Sequence, residues 1–361
     1  MNARSVRALA FYLPQFHPIP ENDAWWGKGF TEWTNVVNAR PQFRGHYQPH
    51  VPADTGFYDL RVPELRQLQA DLAHTYGLYG FCYYHYWFHG KRLLERPFNE
   101  VLASGQPDFP FCLCWANEDW SRAWDGRSGE FLVQQHYSED DDRDHIRALA
   151  PAFADRRYVR VEGKALFLVY RASRLPDPLR TTTVWREEAQ RLGLGELFLA
   201  RVESFSSEHI HPAPLGFDAA VEFQPDWPRL GKPLHRDFVR RAFWKLGLNR
   251  SAYQRHRVFD YASVIQTMLA KPAPEYMRFP CVTPSWDNTS RRKSEASIFQ
   301  ASSPALYEHW LREAVRRVQH FPIEQRLVFI NAWNEWAEGN HLEPDQRWGH
   351  AYLEATRRAL P

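Results

Sequence analysis

The run Asn331-Ala332-Trp333-Asn334-Glu335-Trp336-Ala337-Glu338-Gly339 places two carboxylates among two tryptophans and two asparagines. Two carboxyl groups facing one cleft can break a glycosidic bond, one handling the leaving-group proton and the other acting on the sugar. The acid of such a pair needs a raised pKa, which burial against Trp333 or Trp336 and a like charge nearby would supply. The ionised partner needs polar company, for which Asn331, Asn334 and Asn288 are the candidates. A plainer use of Glu335 and Glu338 is an acidic helix N-terminus favoured by the dipole. A Trp-rich strand end is not needed for that. Glu343, in His341-Leu342-Glu343-Pro344-Asp345, is placed either to hold its loop or to bind substrate.

These residues follow the apolar stretch Arg326–Ile330, which reads as a buried strand. Seven similar runs precede it, at residues 6–13, 77–88, 109–117, 165–171, 197–203, 218–223 and 279–286. Helix-like amphipathic stretches separate most of them, at 62–76, 140–154, 181–192, 261–270 and 304–320, and a last one follows at 349–360. Eight strands alternating with helices predict a parallel (β/α)8 TIM barrel, an α/β fold, in one domain spanning 1–361. The chain of 361 residues exceeds the roughly 250 that such a barrel needs.

Polar residues gather where the apolar runs end. His85, Asn117, Asp119, Trp286, Asp287, Asn288, Trp333 and Asn334 all sit there, and with Glu32 they are the expected sugar-binding set. Barrel active sites are built at the C-terminal strand ends. His85, between tyrosines, fits a hydrogen-bonded core histidine as well as a ligand. Residues 15–59 show no clear helix period but are rich in aromatics, so long loops are expected over the barrel mouth.

Net charge is +2, which excludes a whole-chain polyelectrolyte binder, and no nucleic-acid module is visible. Fifteen tryptophans are more than core filling requires. Cys82, Cys112, Cys114 and Cys281 lie in the predicted strands without a CxxC pair, so buried free thiols are expected. The acidic run Glu139–Asp142 contains a DxD, but Ser138 ahead of it reads as an N-cap with acids in the first helical turn. No His/Cys/Asp spacing suggests a metal, and no nucleotide-binding glycine motif is present, so no metal or cofactor is expected. Residues 229–257 carry nine Lys or Arg against one acid, Asp237. This insertion between strands six and seven would meet a membrane surface or an anionic glycan, or be a solvated helix. The polar N-terminus and the lack of a long apolar run predict a cytoplasmic protein.

Four segments in order, residues 10–17 (AFYLPQFH), 29–33 (GFTEW), 286–289 (WDNT) and 333–339 (WNEWAEG), resemble the bacterial WbsX-like glycosyltransferase family. That family is grouped with the glycoside hydrolase family 99, or endo-α-mannosidase, fold. The resemblance implies that Glu335 and Glu338 match the two acids of a Glu-Trp-His-Glu signature, with Ala337 at the histidine. In that scheme Glu335 takes the proton of the sugar 2-hydroxyl, which attacks as internal nucleophile, and Glu338 is the general acid/base. The expected function is retaining hydrolysis of an α-linked bacterial polysaccharide. The alternative is a glycosyltransferase in O-antigen or capsular polysaccharide biosynthesis.

Overall fold

The computed structural model describes residues 6–121, 130–235, 238–246 and 251–361, with side chains left aside at 238–241. Eight parallel strands form the centre: β1 (Arg7–Tyr12), β2 (Gly80–Phe88), β3 (Phe111–Trp115), β4 (Lys164–Val169), β5 (Leu197–Val202), β6 (Ala219–Glu222), β7 (Arg278–Val282) and β8 (Leu327–Ile330). Each pairs with its sequence neighbour, and β1 pairs with both β2 (Leu9 beside Gly80) and β8 (Ala8 beside Val328). The sheet therefore closes into the expected (β/α)8 barrel.

Apolar side chains on both faces of every strand make this possible, because a parallel sheet is covered on both sides. Phe11 of β1 meets Tyr84 of β2, Phe329 of β8 and Phe223 just past β6 at centroid distances of 5.2–5.6 Å. Contacts between β1 and the far side of the ring place these rings inside the barrel.

The helices are α1 (Pro20–Trp26), α2 (Glu32–Asn38), α3 (Pro63–Thr75), α4 (Arg96–Ser104), α5 (Glu139–Ala154), α6 (Pro178–Arg191), α7 (Phe238–Lys245), α8 (Ala252–Arg255), α9 (Tyr261–Leu269), α10 (Pro304–Val318) and α11 (Ala351–Ala359). Side-chain caps start four of them. Ser138, Asp177, Asp260 and Ser303 each accept a backbone N–H of the first turn. The capping reading of Ser138 and its acidic run is thus observed. Between β5 and β6 the described residues hold only short 3₁₀ turns, at Ser206–Glu208 and Ala213–Leu215.

Three features depart from the sequence expectation. Residues 15–59 contain the short helices α1 and α2, each of seven residues and so about two turns, too brief to show a period. Helix α4 was not anticipated. A two-stranded parallel sheet, Arg257–Asp260 with Ser297–Gln300, forms beside the barrel mouth. All four cysteines are free and buried. No helix among the described residues is long and apolar enough to cross a membrane. Residues 1–5 of the N-terminal reading, and residues 236, 237 and 247–250 of the basic segment, lie outside the described residues.

Candidate active site

Beyond Ile330 the chain leaves the barrel wall and turns back on itself. Asn334–Glu335 pairs antiparallel with Asn340–His341 around a 3₁₀ turn, Trp336–Glu338. Gly339 closes the turn at φ +56°, with its Cα against Asp287, where a Cβ would come 3.1 Å from the Asp287 Cβ. The Asp287 N–H donates to the Glu338 carbonyl at 2.7 Å, fixing the turn to the loop after β7. This geometry sends both the Glu335 and Glu338 side chains into a cavity of about 520 Å³, within the usual range of small-molecule sites.

The two acids meet one guanidinium. Arg291 Nη2 lies 2.8 Å from Glu335 and 3.0 Å from Glu32, and Nη1 lies 3.0 Å from Glu338. Glu32 comes from the first turn of α2, so the long segment after β1 supplies a third carboxylate. Burial works against the Arg291 charge, but Glu32, Glu335 and Glu338 outweigh it and raise its pKa further. Burial lifts the Glu335 carboxyl well above the usual carboxylate range, and Glu338 and Glu32 add to the lift against the pull of Arg291. Glu338 is also raised, by burial first, with Arg291 opposing. Three carboxylates around one cation cannot all ionise cheaply, and Glu335 and Glu338 both hold their protons more tightly than ordinary carboxylates. Glu338 is the more open of the pair, its side chain 21% exposed against 9% for Glu335.

The walls are aromatic. Trp26, Phe30, Tyr86 and Trp120 line one stretch, and Tyr170, Phe205, Trp227 and Trp286 another. Such faces suit the C–H faces of sugars. Glu118 and Asp119 after β3, and Arg257 and Arg292, add charge at the lining.

Of the expected residues, Glu32, Asp119, Trp286, Asn288, Glu335 and Glu338 line this cavity. The other five do not, each for a physical reason. His85 points away from it, stacked on His145 of α5 with Nε2 to Nε2 at 2.9 Å, and burial keeps it neutral. Asn117 bonds the backbone N–H and carbonyl of Arg171, joining the ends of β3 and β4. Asn334 does the same for both backbone groups of Leu13. Asp287 accepts from His46 Nε2 at 2.5 Å and from Thr289. Burial opposes its charge, but His46 holds it below the usual range. It therefore anchors residues 15–59 over the mouth. Trp333 is fully buried and donates to Glu343.

Glu343 takes the loop-holding role. It accepts from Trp333, Trp336, Tyr58 and Gln69 at 2.6–3.1 Å, and burial pushes its carboxyl up to about 7. Trp336 is equally buried, so neither tryptophan of the acid-bearing run offers a sugar platform.

Sequence reasoning missed Arg291. The available signal was the cationic run Arg291-Arg292-Lys293 two residues beyond Trp286-Asp287-Asn288. It also missed His50, His341 and Asp345, three buried residues whose ligand-type atoms lie within 4.8 Å of one another.

The chain belongs to the WbsX glycosyltransferase family: the family model described as glycosyltransferase WbsX matches residues 8–356. Two relatives, uncharacterized proteins named WxcX from two strains of Xanthomonas campestris pv. campestris, are 48% and 47% identical over 353 residues. The alignments cover 98% of this chain and 49% of each relative, so the chain spans about half the length of the curated relatives it matches. A solved glycoside hydrolase-like protein superposes with TM-score 0.60 at 14% identity, covering 99% of this chain and 94% of the other. The GH99 endo-alpha-mannosidase from Bacteroides thetaiotaomicron superposes with TM-score 0.56 at 15% identity, covering 98% and 96%. At such identities the likeness concerns the fold alone.

Proposed function

We propose that this chain is a carbohydrate-active enzyme that cleaves an α-linked bacterial polysaccharide with retention, using the sugar 2-hydroxyl as internal nucleophile. The observation that carries the reading is the pair Glu335 and Glu338, held on one guanidinium and turned into an aromatic-walled cavity.

In the first step Glu335 takes the 2-hydroxyl proton, O2 attacks C1, and Glu338 protonates the departing glycosidic oxygen. A 1,2-anhydro sugar and the shortened glycan result. In the second step Glu338 takes a proton from water, the water oxygen opens the ring at C1, and Glu335 returns its proton to O2. Burial makes Glu335 a stronger base than an ordinary carboxylate once ionised, which suits a hydroxyl proton. The greater exposure of Glu338 suits a group that exchanges protons with a leaving oxygen and with water. Arg291 keeps the two carboxyls in place and limits their repulsion, as a positioning residue. The basic segment reaches the cavity lining through Arg257, and its Phe243 and Leu246 are exposed. An anionic glycan or a membrane surface would meet the protein on that side.

The second reading, a glycosyltransferase of surface polysaccharide assembly, has the family's own description behind it. One experiment separates the two. Wild type and Glu338→Gln are incubated with O-antigen and capsular polysaccharides without nucleotide sugar, and the products are weighed by mass spectrometry. Shortened oligosaccharides from wild type only support hydrolysis with Glu338 as acid/base. Intact glycans across the panel, with extension once an activated donor is added, favour transfer.

A further inference from the structure

Behind the acid-bearing turn two stretches of chain 291 residues apart meet in a second, fully buried cluster. The His341 ring lies flat on Trp336, with centroids 3.7 Å apart. Its Nδ1 is 2.9 Å from the Glu343 carbonyl. A carbonyl only accepts, so Nδ1 carries the hydrogen and Nε2 carries the lone pair. That Nε2 faces His50 Nδ1 at 2.8 Å and lies 3.9 Å from Asp345 Oδ2.

The carboxylate is the unusual member. Asp345 Oδ1 accepts from the backbone N–H groups of Arg347 and Trp348 at 3.0 and 2.6 Å, which leaves Oδ2 turned to the histidines. Among the described residues its ion-pair partner within 4 Å is His341. Two imidazoles and a carboxylate thus face one another in the interior, with ligand-type atoms within 4.8 Å of one another.

We propose that His50, His341 and Asp345 bind one divalent transition-metal ion of the zinc class. Two neutral imidazoles and a carboxylate are a donor set that zinc, cobalt and iron accept. The Nδ1 contact of His341 to a carbonyl is the kind of outer contact that orients a metal-bound histidine.

The distances are close to those required. Two nitrogens at about 2.0–2.1 Å from a tetrahedral ion lie about 3.3 Å apart. The imidazoles must therefore part by about 0.5 Å, and Asp345 Oδ2 must come about 0.6 Å nearer to His341 Nε2, movements within reach of side-chain torsions. The ion replaces the hydrogen bond between the rings, and His50 keeps its proton by moving it to Nε2. Bound there, the ion pins residues 15–59 to the turn that carries Glu335 and Glu338, through the Trp336–His341 stack. This site is independent of the reaction proposed above.

The test uses the untagged full chain, stripped with chelator and titrated with Co(II) while visible absorption is followed, with Zn(II) as competitor. One ion per chain is expected, with a tetrahedral or five-coordinate spectrum that Zn(II) abolishes. His50→Ala and Asp345→Asn should weaken binding by well over roughly a hundredfold, beyond the range for outer-contact loss. His341→Gln keeps a hydrogen-bonding side chain and should weaken it as much. Wild type that takes up no stoichiometric ion overturns the proposal whatever the variants do. So does binding that His50→Ala leaves unchanged, since the ion then sits elsewhere.

Discussion

Replacing Arg291 by Met removes the one cation that the carboxylates of Glu32, Glu335 and Glu338 share. Each contact, at 2.8–3.0 Å, is worth about 6 kcal/mol in gross Coulomb attraction at an effective dielectric of 20. Desolvation of all four groups and repulsion among the acids offset most of this. The expected net loss is about 3–5 kcal/mol at pH 8, the usual result of stripping one partner from a buried ion pair. The pH dependence follows from the direction of the shifts. Glu335 and Glu338 already hold their protons more tightly in the folded chain than in the unfolded one. Without Arg291 that difference grows. The folded state then binds more protons than the unfolded state, and stability falls as pH rises above the unfolded carboxylate value. The variant should therefore be closer to wild type at pH 5 than at pH 8. Urea unfolding of both proteins at the two pH values reads this directly. A loss under about 1 kcal/mol at pH 8, or one independent of pH, would refute the shared-cation reasoning.

Further outcomes follow from the same geometry. Trp336→Phe deletes one donor to Glu343 and should cost about 1–3 kcal/mol. The loss should be larger at pH 8 than at pH 6, because the folded carboxyl, with its pKa raised to about 7, is mostly ionised at pH 8 and needs that donor. Denaturation at both pH values measures it. Gly339→Ala meets Asp287 Cβ at 3.1 Å in a left-handed conformation, so a drop of about 1–2 kcal/mol is expected, with lower turnover from the displaced Glu338. His46→Ala frees Asp287 and loosens residues 15–59, and hydrogen exchange across that segment should speed up while the barrel strands stay protected. Glu338→Gln should lower turnover by about 10²–10⁴-fold with substrate binding retained, read by kinetics on a cleaved glycan.

The barrel was legible because the strands are largely apolar on both faces and most of them end in polar residues. That same property hid which side chains face the mouth. In β2 the alternate residues Tyr84 and Tyr86 line the cavity, while His85 points to α5. A strand covered on both sides gives no sequence sign of which parity looks inward. Trp333 and Trp336 stand next to the acids, which suggests a sugar platform. Their N–H groups instead satisfy Glu343, a demand visible only once that carboxyl is buried among them.

The sequence by itself determined the eight-stranded alternation and the acid pair, because strand pattern and the Glu335–Glu338 spacing are local properties of neighbouring residues. Glu32, Asp119, Trp286 and Asn288 were legible from their places after the strands, but tertiary structure alone decided the cation between the acids and the buried histidine cluster. Arg291 stands 259 residues from Glu32 and 44 from Glu335. His50 reaches His341 only because residues 15–59 fold across the mouth. Contacts of that range depend on barrel closure and on loop packing, which bring together charges that no spacing along the chain relates.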